Sequence, residues 1–133
     1  WSTIRDMVAS CYFDIVGHLD VVRKINGTLA FFDEEASWYR RELEATVKAI
    51  ARAGKIVEIN TGGIARKAID SVYPSAALLS RLNAAGVPVT INSDAHAGRD
   101  LTCAYACARE AAQTAGYQTL TFRDGNSWVQ ESL

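Results

Sequence analysis

The chain of 133 residues contains few of the features that mark specialised protein classes. Three Cys and two Pro do not describe a small disulfide-bonded scaffold, so we expect a reducing, cytoplasmic environment. Fourteen Lys and Arg against fifteen Asp and Glu give a net charge of -1, which argues against a long nucleic acid as partner. The apolar stretches are far shorter than a membrane span and no signal peptide is recognised, so we expect no membrane partner.

The sequence does contain enough apolar residues for a buried core. The hydrophobic set makes up 49% and charged residues 22%, which argues against intrinsic disorder. Four short runs are rich in β-branched or aromatic residues and bounded by Gly, Asn, Asp or Ser. They predict strands at residues 13–16, 56–59, 87–91 and 119–122.

The segments between these strands have the apolar spacing of helices. The pattern predicts helices at about 34–53, 75–85 and 100–115, with Asp33 as an N-cap and Gly54, Gly86 and Gly116 as stops. The order β-α-β-α-β-α-β, without an internal linker, predicts one α/β unit over residues 1–133 with a parallel sheet and right-handed crossovers. After the turn signal at 124–126, either a last strand or a frayed tail is compatible with the sequence.

Ligands of parallel α/β proteins bind at the carboxyl ends of the strands. His18 follows the first predicted strand, Glu58 closes the second, and Asp94 and His96 follow the third, so both His residues of the chain fall on one edge. Asp94 and His96 are two residues apart, and in an extended segment they point to the same side, which suits two ligands of a metal cluster.

Each of these residues also has an ordinary structural role open to it. A His in a strand-end loop can simply form hydrogen bonds, Asp94 can cap a turn, and Glu58 can form a plain salt bridge. The Thr61-Gly62-Gly63 segment can form a backbone nest for an anion or only a turn.

The cationic and sulfur-containing residues near this edge also have two roles open to them. Arg66, Lys67 and Arg23 can bind a phosphate from this edge or remain solvated surface cations. Cys103 and Cys107, four residues apart on the third predicted helix, are expected to be packing residues, and so is Cys11.

Four blocks of this sequence, in order, resemble the polymerase-and-histidinol-phosphatase (PHP) superfamily, and most closely its histidinol-phosphatase branch. They are Phe13-Asp14-Ile15-Val16-Gly17-His18-Leu19-Asp20-Val21-Val22-Arg23-Lys24, Val57-Glu58-Ile59-Asn60-Thr61-Gly62-Gly63-Ile64-Ala65-Arg66, Tyr73-Pro74-Ser75 and Ser93-Asp94-Ala95-His96. The resemblance covers about residues 10 to 123.

The resemblance implies a distorted (β/α)7, TIM-like barrel that hydrolyses a small phosphate ester, in the histidinol-phosphatase case within histidine biosynthesis. It implies up to three divalent metal ions, Zn²⁺, Mn²⁺ or Fe, at the carboxyl ends of the strands. The implied metal ligands are His18, Asp94 and His96, of which Asp94 and His96 are also the implied catalytic residues. Arg66, and less strongly Arg23, are implied to bind the substrate phosphate, while Asp20, Glu58 and Asn60 are expected to orient the ligands.

The sequence departs from the family at its amino-terminal side. The family's His-x-His strand and the further His and Glu ligands are absent, and four predicted strands cannot close a seven-stranded barrel. We therefore expect residues 1–133 to be the C-terminal part of a PHP barrel, inactive alone and holding few or no metal ions. The chain starts at Trp1 and its single Met is Met7, which agrees with this expectation.

Other functions remain compatible with the sequence. One is a PHP phosphoesterase that acts on another ester, such as a nucleotide. Another is a non-catalytic α/β module that binds a ligand or partner at open sheet edges, where homo-oligomer formation or pairing with the missing N-terminal part is also expected.

Overall fold

The computed structural model describes residues 1–133, except for the side chain of Thr28. The helices are α1 (Ser2–Ser10), α2 (Arg23–Leu29), α3 (Ser37–Arg52), α4 (Gly62–Ala65), α5 (Ala76–Ala84) and α6 (Tyr105–Thr114). The strands are β1 (Ile15–Val16), β2 (Ile56–Asn60), β3 (Val89–Asn92), β4 (Thr119–Asp124) and β5 (Ser127–Ser132).

A three-stranded parallel sheet in the order β1-β2-β3 forms the centre of the fold. Ile15 pairs with Ile56 in register, and Val57 pairs with Val89. All five residues of β2 are buried, as expected for a central parallel strand with both faces covered. The α/β class and the parallel sheet predicted from the sequence are therefore confirmed.

Helix α3 carries the apolar stripe that the sequence predicts, because Tyr39, Leu43, Val47 and Ile50 are all buried. The helix begins at Ser37, however, three residues later than predicted. Asp33 does not cap it. Instead, its Oδ1 accepts a hydrogen bond from the main-chain N–H of Glu35 at 2.8 Å, forming a turn before the helix.

The sequence prediction for helix α5 agrees with the structure at both ends. The Ser75 side chain accepts a hydrogen bond from the Leu78 main-chain N–H at 3.4 Å and caps the helix. Gly86 follows the helix with φ of +69°, a conformation that costs other residues energy. Helices α1, α2 and α4 were not predicted.

The fourth predicted strand lies outside the parallel sheet, which corrects the sequence interpretation. Strand β4 pairs antiparallel with β5, with Phe122 opposite Val129, so the end of the chain is a strand rather than a frayed tail. The Asp124-Gly125-Asn126 turn, in which Gly125 has φ of +55°, closes this hairpin locally. Pairing β4 with β5 through a short turn costs less loop-closure entropy than aligning β4 beside β3.

The third predicted helix is shorter than the sequence indicated. A 3₁₀ turn spans Gly98–Asp100. Ala104 has φ of +57°, which is incompatible with a right-handed helix, so α6 begins only at Tyr105. Cys103 therefore lies outside the helix and is half-buried, while Cys107 and Cys11 are exposed. The expectation that these cysteines pack in the core was wrong for Cys107 and Cys11.

The core lies between the sheet and the helices around it. Ile50 of α3, Ile59 of β2 and Leu79 and Leu82 of α5 are fully buried. No helix in the described chain is both long and apolar enough to cross a membrane. The fold thus presents the carboxyl ends of three parallel strands at one edge, where the candidate residues lie.

Candidate functional site

The three parallel strands bring His18, Asn60 and Asp94 together. Asn60 ends β2 in register with Asn92, the last residue of β3. His18 and Asp94 follow their strands with φ of +52° and +50°, in the left-handed region. Such a conformation costs a non-glycine residue on the order of 1 kcal/mol, and strained backbone of this kind is concentrated at functional sites.

The imidazole ring of His18 lies between two carboxylates. Its Nδ1 is 3.3 Å from Glu58 Oε2, and its Nε2 is 3.2 Å from Asp94 Oδ2. Glu58 Oε2 also accepts the main-chain N–H of His18 at 3.0 Å, and Glu58 Oε1 accepts from Asn92 Nδ2 at 3.1 Å. The buried Glu58 therefore orients His18, while about half of the ring is exposed.

Asp94 forms an ion pair with Arg66, the residue that directly follows α4. Arg66 Nη2 is 2.5 Å from Asp94 Oδ2, and Arg66 Nη1 donates to the Asp94 main-chain oxygen at 3.0 Å. Burial by itself would raise the pKa of Asp94. Hydrogen bonds from Arg66 and His18, together with the charge of Arg66, outweigh it and hold the pKa below its ordinary value. Asp94 is therefore a carboxylate at neutral pH.

Gly62 makes room for this ion pair. A Cβ at this position would lie 2.6 Å from Arg66 Nη2 and 2.8 Å from Asp94 Oδ2. The Gly62 main-chain N–H donates to Asn60 Oδ1 at 2.8 Å. This N–H of the Thr61-Gly62-Gly63 segment therefore already has an acceptor within the chain. Because Gly62 has no side chain, the side chains of Arg66 and Asp94 can approach each other beside it.

His96 borders Arg66 at the solvent side of the site. Its Nδ1 is 3.2 Å from Arg66 Nη1 and 2.8 Å from the main-chain oxygen of Asp94. The segment is not extended, because Asp94 is left-handed, so the reasoning that placed Asp94 and His96 side by side on a strand was wrong. His96 Nδ1 and Asp94 Oδ1 are 3.9 Å apart, and the His96 side chain is 70% exposed.

Asp20 and Arg23 lie in a separate buried cluster. Asp20 Oδ2 accepts the Ser75 main-chain N–H at 2.8 Å, and Arg23 Nε is 3.3 Å from Glu34 Oε2. Burial raises the pKa of Asp20, although the Ser75 hydrogen bond and the charge of Arg23 oppose this effect. Among the described residues, Asp20 Oδ1, Arg23 Nη1 and Tyr73 Oη are buried without a hydrogen-bond partner. Asp20 thus contacts the residue that caps α5, and Arg23 contacts Glu34 before α3, both apart from the Arg66–Asp94 pair.

The residues of this chain do not by themselves fit a metal centre. Across the part of the chain that the structure describes, no three His, Cys, Asp or Glu side chains are placed to hold one ion. The two ring nitrogens of His18 face different carboxylates, and Asp94 Oδ2 faces a guanidinium group. Even a catalytic zinc normally takes three protein ligands.

Sequence reasoning missed several residues that shape this site. Asn92 donates a hydrogen bond to Glu58, and its place directly after the predicted strand at 87–91 was the available signal for it. An aromatic cluster that includes Phe32 and Trp38 lies beside His18. The closely spaced aromatic residues at 31–32 and 38–39 were the available signal for it.

Comparison with known proteins adds evidence of a different kind. No family model matches the chain. Over 123 residues, the chain is 27% identical to a protein of Deinococcus radiodurans named probable histidinol-phosphatase. The match covers 92% of this chain but 44% of that protein, so the chain spans less than half the length of its curated relative. The chain is therefore distantly related, over most of its own length, to a protein named as a phosphatase.

Proposed function

We propose that this chain is part of a metal-dependent phosphomonoester hydrolase of the histidinol-phosphatase type. One observation carries the proposal: the Arg66–Asp94 ion pair and His18 meet at the carboxyl edge of the parallel sheet. The Arg66 guanidinium beside a carboxylate and imidazoles offers the groups that phosphate binding and proton transfer require. The relative named probable histidinol-phosphatase supports this choice of reaction class.

Arg66 is the proposed phosphate-binding residue. Its guanidinium presents parallel N–H donors that match two oxygens of a phosphate, and 38% of its side chain is exposed to solvent. In the chain as described, Asp94 neutralises this charge. Bound phosphate would share Arg66 with Asp94, and Arg66 would stabilise the negative charge on the phosphate oxygens as the ester is cleaved.

Asp94 and His96 are the proposed catalytic residues. In hydrolysis, a water oxygen bonds to phosphorus and the ester P–O bond breaks. One proton of the water stays on the phosphate product, and the other is transferred to the leaving alkoxide. Asp94 is ionised and accepts a hydrogen bond from the attacking water, which it orients. His96, exposed beside Arg66, would hold a water molecule that passes a proton to the leaving oxygen.

The metal ions and the closed barrel are further parts of this proposal. Up to three Zn²⁺, Mn²⁺ or Fe ions would use His18, Asp94 and His96 together with ligands from outside this chain, in a cytoplasmic protein with a distorted (β/α)7 barrel. Glu58 and Asn60 would then keep His18 in position, as they do here. The isolated chain is expected to be inactive with few or no bound ions.

The proposal is tested in the longer protein that would contain this chain, assayed on histidinol phosphate with Zn²⁺ or Mn²⁺ supplied. We expect Arg66→Ala and Asp94→Ala to lower kcat/KM about 100-fold or more, the scale measured when one transition-state donor is removed. The matched control is Arg41→Ala, since Arg41 is exposed on α3. A wild-type rate for Asp94→Ala would refute the assignment. A panel of nucleotides and sugar phosphates separates histidinol phosphatase from another phosphoesterase.

A further inference from the structure

The outer edge of the C-terminal hairpin is a free strand edge. Strand β5 (Ser127–Ser132) pairs with β4 along its whole length, and within the described chain no strand pairs with its other side. Strand β4 lies against β3, so β5 forms the outer side of the hairpin, and only Val129 of its residues is half-buried. An unpaired strand edge is a template for main-chain hydrogen bonds with another chain.

The main-chain groups of three β5 residues point away from β4. The Leu133 N–H donates to the Gln118 main-chain oxygen at 3.0 Å, which continues the β4–β5 register as a hydrogen-bonded pair. Hydrogen-bonded pairs alternate along an antiparallel ladder, so every second pair along the hairpin is bonded in the same way. The N–H and C=O groups of Trp128, Gln130 and Ser132 therefore face outward.

This edge has few of the features that protect sheet edges from pairing. Strand β5 contains no Pro or Lys, its pairing with β4 runs without a bulge, and its single charged residue is Glu131. The far end of the hairpin is also partly apolar at its surface, since Phe122 is 39% exposed and Trp128 is 37% exposed. The other strand at an edge of the fold, β1, has only two residues. These features favour β5 as the edge that takes up another strand.

We propose that β5 pairs antiparallel with β5 of a second copy of this chain, on a twofold axis through Gln130. In this register all the outward residues form hydrogen-bonded pairs: Gln130 with the partner's Gln130, and Trp128 with the partner's Ser132. The two hairpins then make one antiparallel sheet in the order β4-β5-β5-β4. The same patch is used on both copies, as a twofold dimer requires.

The side chains of β5 suit pairing with themselves. At the axis, each Gln130 amide offers the other both a donor and an acceptor. The next pair sets Glu131 opposite the partner's Val129, so no two like charges lie directly opposite each other. The two Glu131 side chains are diagonal neighbours with Cβ atoms about 7 Å apart, a distance at which their repulsion is weak and screened by salt. A second copy of β5 is therefore a complementary occupant of this edge.

The expected interface is small. A strand of six residues spans about 20 Å, and each hydrogen-bonded pair exchanges two main-chain bonds, which gives about six bonds. A contact of this size buries less than the roughly 1,200 Å² of standard interfaces and is typical of weak, reversible complexes. We therefore expect a dissociation constant on the order of 100 µM.

The test measures association of the 133-residue chain by sedimentation equilibrium, from roughly tenfold below to tenfold above this constant. We expect a monomer–dimer equilibrium. Hydrogen exchange followed by NMR locates the contact. The outward N–H of Gln130 should exchange more slowly as the concentration rises, whereas the N–H of Val129, which bonds β4, is protected at every concentration.

Charge substitutions at the axis make the test specific. Gln130→Lys and Gln130→Glu each set like charges opposite one another and should weaken the dimer roughly fivefold or more. An equimolar mixture of the two variants sets Lys opposite Glu and should restore association to about the wild-type level. Ser80→Lys is the matched control, because it adds the same charge on the exposed surface of α5 and should leave the dimer unchanged.

A proline substitution tests the main-chain bonds themselves. Gln130→Pro removes the outward N–H at the axis without removing a bond to β4, and an edge strand tolerates Pro at such a position. We expect the dimer to be lost while the Val129 N–H stays protected, which shows that the hairpin is intact.

Four results overturn the inference. They are a wild-type chain that stays monomeric at the highest concentration, a dimer that persists in both single charge variants, a mixture of these variants that fails to associate, and a monomer whose Gln130 N–H is protected only by an added peptide of unrelated sequence. The second result would place the contact on another face, and the last would give the β5 edge to a different partner.

Discussion

Neutralising Asp94 and Arg66, separately and together, measures the strength of the ion pair at the candidate site. Asp94→Asn is chosen because Asn, like Asp, tolerates the left-handed conformation that Asp94 has at φ of +50°. Arg66→Gln shortens the side chain and removes its charge. The four proteins form a double-mutant cycle, whose coupling energy isolates the interaction from the effects of each change alone.

The structure sets the expected size of this coupling. Two hydrogen bonds join the groups, at 2.5 Å between Arg66 Nη2 and Asp94 Oδ2 and at 3.0 Å from Nη1 to the Asp94 main-chain oxygen. The main-chain contact survives Asp94→Asn and does not contribute. Exposed ion pairs contribute about 0 to 1 kcal/mol. Because the Asp94 side chain is only 22% exposed, against 38% for Arg66, we expect the upper end, about 1 kcal/mol.

Urea unfolding at pH 7 provides the assay, with the Glu44–Lys48 pair on α3 as the matched control. That pair has a similar distance of 2.7 Å, but both of its side chains are 62% exposed. We expect a smaller coupling there, and one that salt screens more completely. A coupling for Asp94 and Arg66 no larger than that of the control pair would refute the reasoning that burial and geometry strengthen this contact.

The coupling also depends on pH in a definite direction. The pKa of Asp94 is lowered in the folded chain, since the hydrogen bonds from Arg66 and His18 outweigh the effect of burial. The stabilisation is therefore fully present above the ordinary pKa of 3.8 and is lost as pH falls through the lowered value. Coupling that stays constant well below pH 3.8 would contradict the assignment of this pKa.

Three further predictions concern a buried tyrosine, the core and the site glycine. Burial, with the charges of Asp20 and Glu34, raises the pKa of Tyr39 from 10.0 to about 12, so unfolded chains lose this proton first. Between pH 10 and 12 the wild type should lose about 1.4 kcal/mol of stability per pH unit relative to Tyr39→Phe in urea unfolding; parallel curves would contradict this. Leu79→Ala empties a fully buried position and should cost about 3 kcal/mol by the same measurement, and a loss below about 1 kcal/mol would show that the core collapses around it. Gly62→Ala places a methyl group 2.6 Å from Arg66 Nη2, so phosphate should no longer shift the Arg66 side-chain NMR signal; an unchanged titration would show that the ion pair moves freely.

Local patterns in the sequence were sufficient for the central elements of the fold. Residues 56–59 and 87–91 read as buried strands because runs of β-branched residues fit a sheet that is covered on both faces. The stripe on α3 and the Ser75 cap of α5 were likewise readable, since each depends on residues within a few positions of one another. Boundaries were less predictable, because Asp33 bonds a nearby N–H in a turn instead of capping the helix.

The partner of the last strand could not be read from its own residues. Residues 119–122 have the composition of a strand in either setting, and only the turn at Gly125 brings β5 alongside β4. Strand propensity records how well a side chain fits a pleated surface and carries no information on which strand lies beside it.

For the candidate site, the sequence by itself determined which edge of the sheet carries the candidate residues. His18, Glu58, Asn60 and Asp94 follow or close three parallel strands, and parallel strands necessarily end at the same edge. Tertiary structure alone decided how these residues pair. It set Arg66 against Asp94 across 28 positions, separated Arg23 from them, and placed the aromatic cluster beside His18. Hydrogen bonds and ring contacts act over a few ångströms, and only the folded chain fixes distances of that size between residues far apart in sequence.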